Sequence, residues 1–291
     1  MSITSAMFTG VTGLLANAEG INVIGNNLAN VNTVGFKSSR MLFSDMLSVN
    51  IGNSSQIGRG TQIQKVDNVF GQGSFESTEL VSDLAMQGNS FFALGKPGGN
   101  TQLTSQTEAV LTRAGAFRVD GTFHLVNPDG YQVLDTAGNP ILFSHVDGAT
   151  AGDFAKITKI DSTGLITYVD VQGNTFYYTG TGAGAVTSAG ITGAENKIAV
   201  INPPNAGALD KIGGTLFQYT PETGITGAFT LATNTANGTT EKVYSNSLEQ
   251  SNVDMAGQFV KMILTQRAYS ANSKTITTAD EMTQEVLNLK R

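Results

Sequence analysis

Two histidines, His124 and His145, are the first residues to test for chemistry, because imidazole is the commonest metal ligand and general base near neutral pH. Both stand in β or turn-like segments without an HxH or HExxH spacing, so neither marks a metal site. With Cys at 0 there is no thiolate nucleophile, zinc ribbon or disulfide frame. A paired-carboxylate hydrolase needs only that two acids meet in space. The candidates Asp120, Asp129, Asp161 and Glu222 lie in strings with Gly or Pro, where turn formation accounts for each of them. The run Gly180-Thr181-Gly182-Ala183-Gly184 lacks the spacing and flanking elements of a dinucleotide loop and reads as a flexible loop. No GxSxG elbow, phosphate loop, kinase signature or complete SxxK set occurs. The expectation is no catalysis, no cofactor, no metal and no small-molecule substrate.

Composition narrows the field further. Charged residues are 14% of the 291, against ~25% in ordinary soluble chains, and there are 34 glycines. A net charge of -6 without a basic run argues against nucleic acid. No run reaches the ~18 apolar residues that span a bilayer. Before Lys37 there is no cation at all, which disfavours a cleavable secretory signal.

The elements that must position any functional residue fall into three parts. Ile3, Met7, Gly10, Leu14, Asn17, Ile21, Ile24, Leu28 and Val31 follow alternating steps of four and three, a heptad seam in which Gly10 permits close approach and Asn17 fixes register. A second, less regular seam runs Val253, Ala256, Val260, Ile263, then Ile276, Ala279, Met282, Val286 and Leu289, with Ser251 and Asp254 as a capping start. Neither helix has a burial partner of its own, so each end needs the other or neighbouring molecules.

Between the ends lie short alternating segments with Gly, Asn, Asp and Pro turns. Phe123 and Leu125 form a strand between two turns, and 156–160 and 165–171 form a hairpin about Asp161-Ser162-Thr163-Gly164. The expected class is α+β: a terminal helical domain with coiled-coil seams (1–32 plus 253–291), an extended linker region (33–72 plus 236–252), and a β-rich domain (73–235). A flexible loop is expected at 179–193, the one place where an insertion could sit.

Several stretches then become recognisable. Gly13–Asn17 and Ile21–Lys37, containing Asn26, Asn27, Asn30, Gly35 and Phe36, resemble the signature of the flagellar rod and hook proteins. The likeness resumes at 70–78, at Asp83 to Phe92 with Gly88 and Phe91, and at Thr112-Arg113-Ala114-Gly115. It returns at Leu248-Glu249-Gln250-Ser251-Asn252-Val253 and at Gln266-Arg267-Ala268-Tyr269, covering about two-thirds of the chain in the family's order. Within the family, the ending Leu-Asn-Leu-Lys-Arg and Ile276-Thr277-Thr278 look most like the hook protein, the flexible universal joint passing torque from rod to filament. The distal rod is the alternative, and the shortness of the chain pulls towards it.

The resemblance implies a helical homopolymer located in the flagellum, with the terminal helices as its lumen-lining coiled coils and the β-rich domain outer-facing. It also implies type III export of an unfolded chain without cleavage, and contacts with the distal rod, hook cap, hook–filament junction proteins and export apparatus. Two readings from other classes stay open on residues alone. A secreted β-rich adhesin leaves the terminal seams unexplained, and a cell-wall glycan hydrolase requires two carboxylates in a cleft.

Overall fold

The computed structural model describes residues 3–52, 55–98, 102–143, 154–180 and 195–289. His145 and most of the 179–193 loop lie outside them. The chain is α+β and divides into two compact units: 1–31, 38–69 and 253–291 form one, and 32–37 with 70–252 form the other.

The first unit holds both helices. Helix α1 spans Ile3–Ala29 and α2 spans Met255–Leu289. The start of α2 is capped by Asp254 itself, whose Oδ1 and Oδ2 accept the amides of Ala256 and Gly257, each at 3.1 Å. These are the N2 and N3 amides, which have no partner inside the helix. The helices lie antiparallel: Gly10 is beside Ile276, Gly20 beside Thr265, and Asn27 beside Gln258. Strands Ser39–Asp45 and Thr61–Asn68 pair antiparallel in the same unit, with a bulge at Leu42/Phe43, and Val49–Gly52 pairs with Ser55–Ile57.

The second unit is an antiparallel β fold. Its main sheet runs in the order Asp210–Gly213, Leu216–Gln218, Val110–Thr112, Phe91–Gly95, Gln132–Val133, Leu125–Val126 and Arg118–Val119, with Val200–Ile201 also on the central strand. Phe91–Gly95 is buried throughout. Its alternation sends Phe92 and Leu94 into one core with Phe117, Phe143 and Tyr178, and Phe91 and Ala93 into a second with Leu111 and Phe217. Strands Phe154–Ile160, Ile166–Asp170 and Thr175–Tyr177 form a separate sheet. The hairpin expected about Asp161 is there, with Ile160 opposite Ile166. Phe123, expected in a strand, instead occupies the left-handed region at φ 61, inside a turn organised by Asp120.

Both pieces of the expected linker carry strands. Within 33–72 lies the ribbon of the first unit. Within 236–252, Lys242–Ser245 pairs with Leu84–Gln87 and Ser247–Glu249 with Phe75–Ser77. Pairing at such sequence separation leaves no local periodicity to read.

Candidate assembly surface

The contact between α1 and α2 is made by small residues. Gly10, Gly13, Ala16, Gly20, Ile24 and Asn27 form the buried stripe of α1. A methyl group at Gly10 would stand 2.8 Å from Ile276 Cγ1, and one at Gly13 would stand 2.5 Å from Asn272 Nδ2. The absence of a side chain is therefore what lets the axes approach. At the C-terminal end of α1, the Asn27 amide bridges to the strand Ser39–Asp45, donating to Ser39 O (2.7 Å) and accepting from Ser39 N (2.8 Å).

Large apolar side chains point the other way. On α1, Phe8 is 71% and Leu15 65% exposed, with Val11 between them. On α2, Phe259, Val260, Ile263, Leu264, Met282, Val286 and Leu287 are all exposed. Large apolar side chains left exposed in groups are a mark of an interaction surface.

The seam positions distribute accordingly. Gly10, Ile24 and Ala279 are buried; Met7, Leu14, Asn17, Ile21, Leu28, Val31, Val253 and Ile276 are half-buried. Ala256, Val260, Ile263, Met282, Val286 and Leu289 are exposed, and Ile3 begins α1. The heptad reading includes Gly10, which is buried against Ile276, but otherwise consists mostly of large side chains. The helix pair instead closes on Gly and Ala, and Gly13, Ala16 and Gly20 escape a search for apolar bulk.

In the second unit the scattered motifs converge on one buried ionic cluster. Lys37, Glu249 and Arg113 are each at most 1% exposed at the side chain. Lys37 Nζ lies 2.7 Å from Glu249 Oε1 and donates to Gly71 O at 2.8 Å. Gly73 N donates to the same Oε1 at 2.9 Å. Arg113 reaches Glu249 Oε2 at 3.4 Å, donates to Gly88 O at 2.6 Å, and lies 4.9 Å from the Phe91 ring centre. Burial pulls the Lys37 amine and the Arg113 guanidinium below their usual ranges, while the Glu249 carboxylate works against that fall. Gly35 crosses this site at φ +68 with its amide on Glu249 O (2.7 Å), packed so closely on the Ala114 backbone that a Cβ has no room.

Gly35, Phe36, Asp83, Phe91 and Phe92 are buried in the second unit. Gly88, Ser251 and Asn252 are half-buried, and the Asn252 amide donates to Gly71 O at 3.1 Å. In the helical unit, Asn27 is buried and Asn30 half-buried, donating back to Asn26 O at 2.8 Å. Asn26, Gln266, Arg267 and Tyr269 are exposed.

Among the described residues, the candidates Asp120, Asp161 and Glu222 each sit in a turn. Asp120 Oδ1 accepts the amides of Thr122 and His124, each at 2.8 Å, which is a turn, and His124 Nδ1 lies 2.9 Å from Thr122 Oγ1. Asp161 closes the hairpin turn, and Glu222 sits in a 3₁₀ turn, Pro221–Thr223. Among the described residues no group of three or more His, Asp or Glu is placed to hold a metal ion. No described helix is long and apolar enough to cross a membrane.

Comparison with known proteins matches three family models in chain order. Residues 7–37 match "Flagella basal body rod protein", residues 85–168 the "Flagellar hook protein FlgE/F/G D1 domain", and residues 244–289 the "Flagellar basal body rod FlgEFG protein C-terminal". The chain is 36% identical to the flagellar basal-body rod protein FlgG of Bacillus subtilis over 298 residues, covering 98% of this chain and 99% of that one. It is 31% identical to FlgG of Caulobacter vibrioides over 299 residues, covering 98% and 99%. It is also 26% identical to the flagellar hook protein FlgE of Borreliella burgdorferi, covering 98% and 99%, but across an alignment of 459 residues. That relative therefore carries long insertions that this chain lacks.

Proposed function

The chain belongs to the flagellar rod and hook family, a structural family and not one of enzymes, and from that membership we propose that it is the distal rod subunit, polymerising into the drive shaft of the flagellar basal body. This reverses the preference for the hook that the C-terminal motifs suggest. The observation that carries it is collinearity: FlgG aligns end to end at matching length and 36% identity, whereas the FlgE likeness is lower and interrupted by insertions. Short motifs at the C-terminus are shared across the family and weigh less than the whole length.

The two units support a division of labour. Self-association through the exposed faces of α1 and α2 covers Phe8, Leu15, Phe259 and Leu264, each worth ~1.5–3 kcal/mol when fully buried. Few charges on α1, with Glu19 the only one, let copies approach without like-charge repulsion. In the assembled state the helices pack as coiled coils between subunits and line a lumen, with the β unit outward. The polymer transmits torque, and subunits arrive by type III export without cleavage of a signal.

Electron microscopy of isolated hook–basal bodies labelled with an antibody to this chain tests the reading. Label is expected on the straight segment inside the outer ring. Label on the curved segment would restore the hook reading instead.

A further inference from the structure

The outward face of α2 carries charge in an order that the chain itself does not satisfy. Arg267, Lys274 and Glu281 are spaced by seven residues and so lie in one line along the helix, on the side away from α1; Glu285 stands one turn beyond Glu281. All four are exposed, and none takes part in an ion pair among the described residues. Two cations thus precede two anions along one face. Glu281 and Glu285, four residues apart, repel one another within an isolated helix. Such a pair is tolerated better when cations from elsewhere come to face it.

We propose that this face is a parallel, staggered contact between copies of the chain, with Arg267 and Lys274 of one copy against Glu281 and Glu285 of the next. A displacement of 14 residues, ~21 Å at 1.5 Å per residue, sets Arg267 opposite Glu281. Lys274 then lies within one turn of the neighbour's Glu285, within reach of its flexible stem. The stagger matters as much as the pairing. An antiparallel pair centred on Thr277 also matches opposite charges, but it is self-complementary and closes as a dimer. A parallel, displaced contact leaves a free cationic end and a free anionic end, and so propagates. The inference rests on the polymer reading above and adds to it the register and the chemistry of one contact.

Charge exchange tests it. Arg267→Glu with Lys274→Glu is expected to lower the polymer recovered by sedimentation at least tenfold, and so is Glu281→Lys with Glu285→Lys. The fourfold exchange restores it to within about threefold of the unmodified chain, and helix content by circular dichroism stays constant throughout. A fourfold variant no better than the double variants overturns the proposal, as do double variants that assemble normally. Because the chain has no cysteine, register is read by cross-linking. Ala256→Cys with Ser270→Cys should give a disulfide ladder in the polymer, and absence of the ladder overturns the stagger. A disulfide dimer of the single variant Thr277→Cys marks the antiparallel arrangement and overturns it also. An unmodified chain that forms no polymer under any condition removes the proposed function, and this inference falls with it.

Discussion

The helical unit and the β unit bury opposite kinds of residue. In the β unit the largest side chains go inside: Phe91, Phe92, Phe117, Phe143 and Phe217 are within 2% of complete burial, and even Lys37 and Arg113 are enclosed. In the helical unit glycine and alanine go inside, while Phe8, Leu15, Phe259 and Leu264 stay in water. A unit that closes on its own large residues is finished as a monomer. One that closes on its small residues and displays its large ones leaves apolar surface for a neighbour to cover, as the proposed polymer would.

The largest effect that would break this contrast lies in the β unit. Glu249→Leu removes the single anion between two enclosed cations and leaves both unpaired, which costs ~3–5 kcal/mol. Near-UV circular dichroism of the tyrosines should show the β unit melting well below the unmodified protein. A variant of equal stability would mean that the cluster is hydrated rather than sealed.

Gly10→Leu comes next, on the small-residue side. The new side chain meets Ile276 at a site where a methyl group alone is already tight, and overpacking of this kind costs ~1–3 kcal/mol. Amide exchange across residues 10–28 should accelerate while the Phe91–Gly95 strand stays protected. Unchanged exchange would show that the helices have room to separate without loss.

A smaller effect follows from pH. Asp135 is fully buried and holds the amides of Ala137 and Asn139, the hydroxyl of Tyr178 and the side chain of Asn196. Burial raises its pKa above the ordinary carboxylate value, against the pull of those hydrogen bonds. The folded chain therefore holds this proton to higher pH than the unfolded chain does. The stability it contributes is present below the ordinary carboxylate pKa and is lost as pH rises through the raised one. Thermal midpoints of the unmodified protein minus those of Asp135→Asn should fall with rising pH across that window. A flat or rising difference would contradict the direction of the shift.

The contrast also explains what was legible. The terminal helices announce themselves because a period of seven survives over four repeats from Ile3, and the hairpin about Asp161 because its turn and strands are adjacent in sequence. The direction each helix faces was not legible. Periodicity in large apolar residues marks the side that must leave water, and it does not say whether this chain or another covers it. Val260 and Ile263 belong to the seam by spacing and lie outward, while Gly13 and Gly20 carry the contact and have no hydropathy to register. The ion cluster was illegible for a different reason. Lys37 and Glu249 are separated by 212 positions, and each sits inside a motif recognisable by likeness but silent about its partner.

The smallest expected change in the isolated chain is also the one that sharpens the comparison most. Leu15→Ser, combined with Phe8→Ser, replaces side chains that are 65% and 71% exposed. Little burial is lost in the monomer, and surface changes away from caps and buried groups stay within ~0.5 kcal/mol. Helix content and thermal midpoint should therefore match the unmodified chain. In the proposed polymer neighbours cover the same two side chains, and on that reading their joint loss removes about 3 kcal/mol or more of burial per subunit. At ~1.4 kcal/mol per tenfold, the concentration needed for assembly rises at least a hundredfold, which sedimentation across a dilution series reads directly. Normal assembly with normal stability would mean that this part of α1 faces solvent in the polymer too, and the outward apolar surface would then belong to α2 alone. Loss of stability in the dilute monomer would mean instead that Phe8 and Leu15 already pack within the chain, and the contrast between a finished unit and an unfinished one would fail at its clearest point.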